Sequence, residues 1–168
     1  MLTRLMPDFF FDTFDRVTVE FLKEQGIRFL LVDIDNTLAP YEEPTPNDRV
    51  VAWVEKMRAC GVTVILVSNN HKERVELFNR ELGLMAHYDC HKPSGKRLCK
   101  IAEAAGAVLS ETAALGDQIF TDVWGARMLG IRAILVPPIK DKKTFFFRFK
   151  RWLEKPILKR YQKKCAKF

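Results

Sequence analysis

An alternation along the chain constrains its fold more than any other feature. Five strand-length segments are separated by segments of helical period. They are "IRFLLVDI" (27–34), "VTVILVS" (62–68), "MAHYD" (85–89), "TAALGD" (112–117) and "IRAILV" (131–136). Most are continuously apolar rather than apolar on alternate residues, which predicts strands buried on both faces. The first intervening segment, "TPNDRVVAWVEKMRACG" (45–61), predicts a helix. Thr45 would cap it, Pro46 suits the first helical position, and Asp48 stands three residues after the cap. Val50, Trp53, Val54 and Met57 form its apolar face, and Gly61 ends it. "KERVELFNRELG" (72–83) aligns Val75, Phe78 and Leu82, and "SGKRLCKIAEAAG" (94–106) aligns Leu98, Ala102 and Ala105. "DVWGARMLG" (122–130) is a short helix ended by Gly130, and Pro137 and Pro138 stop the last strand. The expected fold is α/β and Rossmann-like: a mostly parallel five-stranded sheet between two helical layers. Such sheets bind ligands at the carboxyl ends of their strands.

Polar residues gather at those ends. "RFLLVDIDNTLAP" (28–40) drives an apolar strand into Asp33 and Asp35, followed by Thr37. Two carboxylates at one buried strand end repel and are costly to desolvate, so something must compensate them; a divalent cation can. Magnesium favours hard oxygen ligands, taking one or two carboxylates together with water and substrate phosphate. "GDQIFTD" brings Asp117 and Asp122 from another strand end. Ser68 and Asn69 offer a hydroxyl and backbone N–H groups to phosphate oxygens. Lys92, in "HKPSGK", adds positive charge just before a helix N-terminus, a favourable place for anions. A carboxylate nucleophile, a second carboxylate for proton transfer, a metal and phosphate-holding groups are the equipment for phosphoryl transfer.

The bulk properties fit an enzyme of this kind. The chain has 168 residues, is 48% hydrophobic and 29% charged, and so can build a core rather than remain disordered. No apolar run approaches the ~20 residues that span a bilayer. Asp8, Asp12 and Asp15 interrupt the apolar start, which reads as a folded segment rather than a cleavable signal. The cysteines at 60, 90, 99 and 165 form no Cys-x-x-Cys pair and read as reduced thiols of a cytoplasmic protein.

The order Asp33-x-Asp35-x-Thr37, Ser68, Lys92, Gly116-Asp117-(x4)-Asp122 resembles the motif order of the haloacid dehalogenase phosphatase superfamily, across residues 27–136. More narrowly, "DIDNTL", "VSNN", "HKPSG" and "GDQIFTDVWGARMLG" resemble the subclass IIIA phosphatases of the YqeG type, which are similar to phosphatidylglycerophosphate phosphatases. The resemblance implies an Mg2+-dependent phosphomonoesterase with an aspartyl-phosphate intermediate. Asp33 would attack phosphorus, and Asp35 would protonate the leaving alkoxide and then activate water. Asp33 and Asp117 would hold the metal together with the backbone carbonyl of Asp35. Ser68, Asn69 and Lys92 would bind phosphate, Thr37 would brace the catalytic loop, and Asp122 would support the metal site or orient Lys92. The substrate so implied is phosphatidylglycerophosphate; a soluble sugar phosphate or nucleotide is the alternative within the same chemistry. A binding protein for RNA or a ribosomal partner is the alternative outside it.

Thirty-four residues separate Asp33 from Ser68, and 23 separate Ser68 from Lys92. One strand–helix unit fills most of each interval, which leaves little room for the inserted cap domain common in this superfamily. An open site suits a large substrate or a headgroup presented at a surface. Some subclass IIIA phosphatases bind structural zinc near this region. His87, Cys90, His91 and Cys99 lack paired cysteine spacing here and read as ordinary loop and core residues.

Charge divides the chain in two. Net charge is +7, but residues 140–168 alone carry 12 Lys/Arg against Asp141 and Glu154, or +10, and leave the other 139 residues at −3. The expected division is a phosphatase domain at 1–139 and a basic amphipathic helical tail at 140–168. Phe145, Phe149, Trp152 and Leu153, then Ile157, Tyr161, Cys165 and Phe168, recur at helical spacing, with a kink or break expected at Pro156. A basic helix bearing Trp and Phe suits an anionic membrane surface, placing the protein peripherally on the inner face of the membrane. Packing on the domain and binding of nucleic acid are the other readings. "MPDFFFDTF" (6–14) could join the same surface or belong to the core.

Overall fold

Leu30, Leu31 and Val32 are all buried, and the reason is a sheet covered on both faces. In the computed structural model, which describes residues 5–140 and 145–165 (side chains of the last helix at 152–162), six strands form one parallel sheet. They are β1 (Phe9–Phe10), β2 (Phe29–Val32), β3 (Thr63–Val67), β4 (Met85–His87), β5 (Thr112–Gly116) and β6 (Arg132–Leu135), in the order β1-β6-β5-β2-β3-β4. The helices are α1 (Val19–Glu24), α2 (Asp48–Ala59), α3 (Lys72–Leu82), α4 (Gly95–Ala104), α5 (Trp124–Leu129) and α6 (Phe145–Cys165).

Alternate strand residues feed two separate cores. Leu30, Val32, Val64, Leu66 and Leu115 pack with Leu22 of α1, Trp53 and Met57 of α2 and Phe78 of α3. Leu31, Ile65, Val67 and Leu135 pack with Leu98 of α4, Ala126 of α5 and Ile157 of α6. The central strand β2 is therefore apolar at every position, as a doubly covered parallel strand must be.

Three local expectations are corrected. The sheet has a sixth strand: β1 runs parallel to β6, with Phe9 opposite Ile134. The N-terminal aromatic stretch is thereby drawn into the fold. Phe14 is buried edge-on to Trp53, 5.5 Å between centroids, and the Trp53 indole N–H donates to the Val17 carbonyl at 3.0 Å. A two-residue edge strand has too little periodicity to be read from sequence. The cap of α2 is Asn47, whose side-chain oxygen accepts the Val50 N–H at 3.1 Å, rather than Thr45. Asn47 stands immediately before Asp48, the first helical residue, where its short amide reaches the free N–H groups of the first turn.

The third correction concerns α6, which runs through Pro156 as one helix rather than breaking into two there. Glu154 and Ile157 are both buried against the sheet layer on either side of the proline, and Pro156 itself is exposed. Tertiary anchoring on both flanks holds the helical path that the missing N–H would otherwise interrupt. The side chains of Phe145, Phe149, Cys165 and Phe168 lie outside the described residues. Of the expected apolar rhythm, Ile157 is buried and Trp152 is 62% exposed.

Candidate active site

The strand order sets the site. β2 leads to β3 on one side and, after β4, the chain returns to lay β5 on its other side. The carboxyl ends of β2 and β5 therefore diverge at a switch point, where a crevice opens. Asp33 follows β2 and Asp117 follows β5; the Asp33 N–H donates to the Leu115 carbonyl at 2.9 Å, which locks the two ends together. Past Asp33 the chain turns sharply at Asn36, in the left-handed region at φ 63°, a conformation Asn tolerates better than most residues. Asp33 and Asp35 thereby face the same cleft, of about 320 Å³, together with Asn36, Tyr41, Ser68, Asn69, Asn70, Lys92, Gln118 and Thr121.

Lys92 is the hub. Its ammonium, only 6% exposed, donates to Asp33 Oδ1 at 2.6 Å and to Asp122 Oδ1 at 2.7 Å. Thr37 donates to Asp33 Oδ2 at 3.4 Å. Asp122 Oδ2 accepts from the Gln118 N–H at 3.1 Å and the Thr121 hydroxyl at 3.2 Å, so both its oxygens are engaged. Asn69 clamps the Lys92 backbone, accepting its N–H at 2.6 Å and donating to its carbonyl at 3.2 Å. Ser68 Oγ accepts the Asn70 N–H at 3.0 Å and keeps its own proton to donate.

Asp35 is set apart from this cluster. Its carboxylate accepts from Arg74 at 3.1 Å and from the Asn70 amide at 3.0 Å. Arg74 also donates to the Pro44 carbonyl and lies over the Phe78 ring. Sequence reasoning passed over Arg74, Asn70, Tyr41, Gln118 and Thr121. Arg74 stands in a helix beside other charged residues, and nothing in "HKERVELF" distinguishes the arginine that turns inward.

The electrostatics point to a cation. Asp33, Asp117 and Asp122 are buried with ligand oxygens within 4.8 Å of one another. Three carboxylates crowd around one ammonium, an excess of negative charge among these four groups. Burial pushes the Asp33 carboxyl up to about 8; Lys92 opposes the rise, and Asp122 and Asp117 add to it. Burial disfavours the Lys92 charge, but Asp122 and Asp33 outweigh it and hold the ammonium above the ordinary lysine range. Lys92 thus stays charged, and a divalent cation would remove the excess. The all-oxygen donor set of Asp33, Asp117 and Asp122 fits magnesium. Space favours the same arrangement: a Cβ on Gly116 would lie 2.3 Å from Asp122 Cγ, so only glycine lets that carboxylate in.

Among the described residues, the aspartates are the grouping of three or more such ligands that could hold an ion. Cys90 is buried, with its thiol donating to the His87 carbonyl at 3.3 Å, and Cys99 donates to Glu103 at 3.2 Å.

Comparison with known proteins agrees with this architecture. A structure from Listeria monocytogenes, of an uncharacterized protein, superposes with a TM-score of 0.56 at 16% identity, covering 70% of this chain and 85% of that one. A hypothetical protein from Xanthomonas campestris gives 0.55 at 14% identity over 76% and 73%. These likenesses concern the fold. In sequence, the chain is 35% identical over 159 residues to the "Probable phosphatase YqeG" of Bacillus subtilis, covering 95% of this chain and 92% of that protein. The sequence profile of the haloacid dehalogenase-like hydrolases matches residues 4–130, a span that holds every residue of the cleft, and the chain belongs to that family.

Proposed function

We propose that this chain is a magnesium-dependent phosphomonoesterase that passes the phosphoryl group through Asp33, and that its substrate is phosphatidylglycerophosphate, hydrolysed to phosphatidylglycerol at a membrane surface. The observation that carries the chemistry is the Lys92 ammonium bridging Asp33 and Asp122 on the floor of an open cleft that Ser68 and Asp35 also face. Lys92 and the Ser68 hydroxyl hold phosphoryl oxygens and orient phosphorus toward Asp33. A carboxylate oxygen of Asp33 attacks phosphorus, and the bond to the substrate's ester oxygen breaks. Asp35 delivers a proton to the departing alkoxide. Asp35 then takes a proton from water; that water attacks phosphorus, and the bond to Asp33 breaks to release inorganic phosphate. Asp33 and Asp117, with the Asp35 backbone carbonyl, would hold a magnesium ion, which would supply positive charge to the phosphoryl oxygens.

The lipid substrate is supported by the open cleft and by α6. No segment covers the cleft among the described residues: α2 with β3, and α3 with β4, fill the intervals where a cap could be inserted. On α6, Trp152, Lys155, Lys159 and Arg160 are exposed, a composition suited to anionic lipid. No helix among the described residues is long and apolar enough to cross a membrane. The 35% identical relative carries the name of a phosphatase, which supports the reaction class.

The test is phosphate release from phosphatidylglycerophosphate in mixed vesicles with Mg2+, beside a panel of sugar phosphates and nucleotides. Wild type is expected to hydrolyse the lipid fastest, and Asp33→Asn to release nothing. Preference for a soluble ester would refute the substrate, and release by Asp33→Asn would refute the mechanism.

A further inference from the structure

One acidic residue is out of place. Glu154 is the single acid in the 21 residues of α6, a helix otherwise rich in Lys and Arg. It is turned inward and is 2% exposed. Its Oε1 accepts the backbone N–H of Ile119 at 3.0 Å. Ile119 opens the π-helical turn Ile119–Val123, which connects Asp117 to Asp122.

The loop after β5 carries Asp122, which meets Lys92, and Asp117, which would hold the cation, and two adjacent N–H groups of the loop are taken by carboxylates. The Gln118 N–H is taken from within the loop, by Asp122 at 3.1 Å. The Ile119 N–H is taken from outside it, by Glu154. The Ile119 side chain is itself buried in the core that Ile157 joins, one turn along α6 from Glu154. Removing the carboxylate would leave a buried donor without that acceptor and let the turn shift. A shift there moves Asp117 and Asp122 together.

We infer that Glu154 is a positioning residue for the metal-binding loop, and that α6 sets the affinity of the site for magnesium through it. The inference rests on the phosphatase reading only for its kinetic readout. The basic helix is then more than an anchor, since the residue that seats it on the domain also fixes the two aspartates.

The experiment compares full-length wild type, Glu154→Ala, Glu154→Gln and, as an exposed control on the same helix, Gln162→Ala. Hydrolysis of p-nitrophenyl phosphate is measured against Mg2+ concentration, and Mg2+ binding is measured separately by calorimetry. Misplacement of this kind costs about 10- to 100-fold. Glu154→Ala is expected to raise the half-saturating Mg2+ concentration and lower kcat on that scale, with KM for the ester little changed. Glu154→Gln keeps an accepting oxygen and should recover most of both; Gln162→Ala should match wild type. Should Glu154→Ala fail to fold, Glu154→Asp, one methylene short, takes its place with the same expectation. Wild-type kcat and Mg2+ affinity in Glu154→Ala, or a Glu154→Gln variant as impaired as it is, would overturn the inference. An inactive wild type would sink the phosphatase reading instead. In that case calorimetry still decides, because unchanged Mg2+ binding in Glu154→Ala overturns the positioning role.

Discussion

Gly116→Ala is the sharpest test of how the site is built. The added Cβ would stand 2.3 Å from Asp122 Cγ and 2.5 Å from both its Cβ and its Oδ2. Asp122 has nowhere to go: it is 5% exposed and held by Lys92, Gln118 and Thr121. Contact with its Cβ also means that a rotamer change alone cannot clear the clash. Overpacking a site of this kind costs roughly 1–3 kcal/mol. Pushing Asp122 off the Lys92 ammonium forfeits a charge-assisted hydrogen bond, roughly 1.5–3 kcal/mol more. The total, about 2.5–6 kcal/mol, corresponds to a fall in Tm of order 10 °C for a chain of this length. Displacing Lys92 should also lower kcat on p-nitrophenyl phosphate about 100-fold. Gly106→Ala is the control, because its Cβ meets nothing, yet φ of +64° imposes the ordinary left-handed penalty. That variant should lose about 1–2 kcal/mol and keep its kcat. Thermal denaturation by circular dichroism and steady-state kinetics read both quantities. If Gly116→Ala matches Gly106→Ala in both, Asp122 is not held where the geometry puts it, and the account of the site fails.

Further outcomes follow from the same geometry. Millimolar Mg2+ should raise the Tm of chelator-treated protein, with the rise lost in Asp117→Asn; equal shifts in both would place the cation elsewhere. Arg74→Leu should lower kcat about tenfold or more with little change in Mg2+ affinity, since Arg74 holds Asp35 and not the acid triad; a change in Mg2+ affinity alone would contradict that assignment. Burial pushes the Cys90 thiol up to about 11, so iodoacetamide at pH 8 should label exposed Cys60 in the folded protein and spare Cys90, as mass spectrometry can read directly. At Asp15, burial opposes the charge, but the Arg49 and Thr13 bonds outweigh it and hold the carboxyl below its usual value. A depressed carboxyl stabilises above its unfolded pKa and loses that contribution as pH falls through the folded one. The stability gap between wild type and Arg49→Ala should therefore be present at pH 6 and close in acid; a gap independent of pH would rule the ion pair out as its source.

Much of the fold can be read from sequence because burial on both faces leaves a direct mark. β2, β3, β5 and β6 are continuous apolar runs, and the glycines that end α3 and α5, Gly83 and Gly130, take left-handed conformations. β1 and α1 left no such mark: one is two residues long, and the other six. The site divides similarly. Asp33, Ser68, Lys92, Asp117 and Asp122 each stand at or just beyond a strand end, or before a helix, so their gathering follows from the order of elements. Arg74 and Glu154 lie inside helices among other charges, and which charged residue of a helix faces inward depends on what the helix packs against.

The sequence by itself determined a parallel doubly covered sheet and the set of acids at its carboxyl edge, because hydrophobic periodicity and chain order are local properties. The tertiary structure alone decided how those acids are partnered. It committed Asp122 to Lys92, assigned Asp35 to Arg74 and Asn70, and turned the one acid of α6 onto the loop between Asp117 and Asp122. Such pairings form between residues 30 to 39 positions apart, where only the packing of whole elements brings side chains within hydrogen-bonding reach.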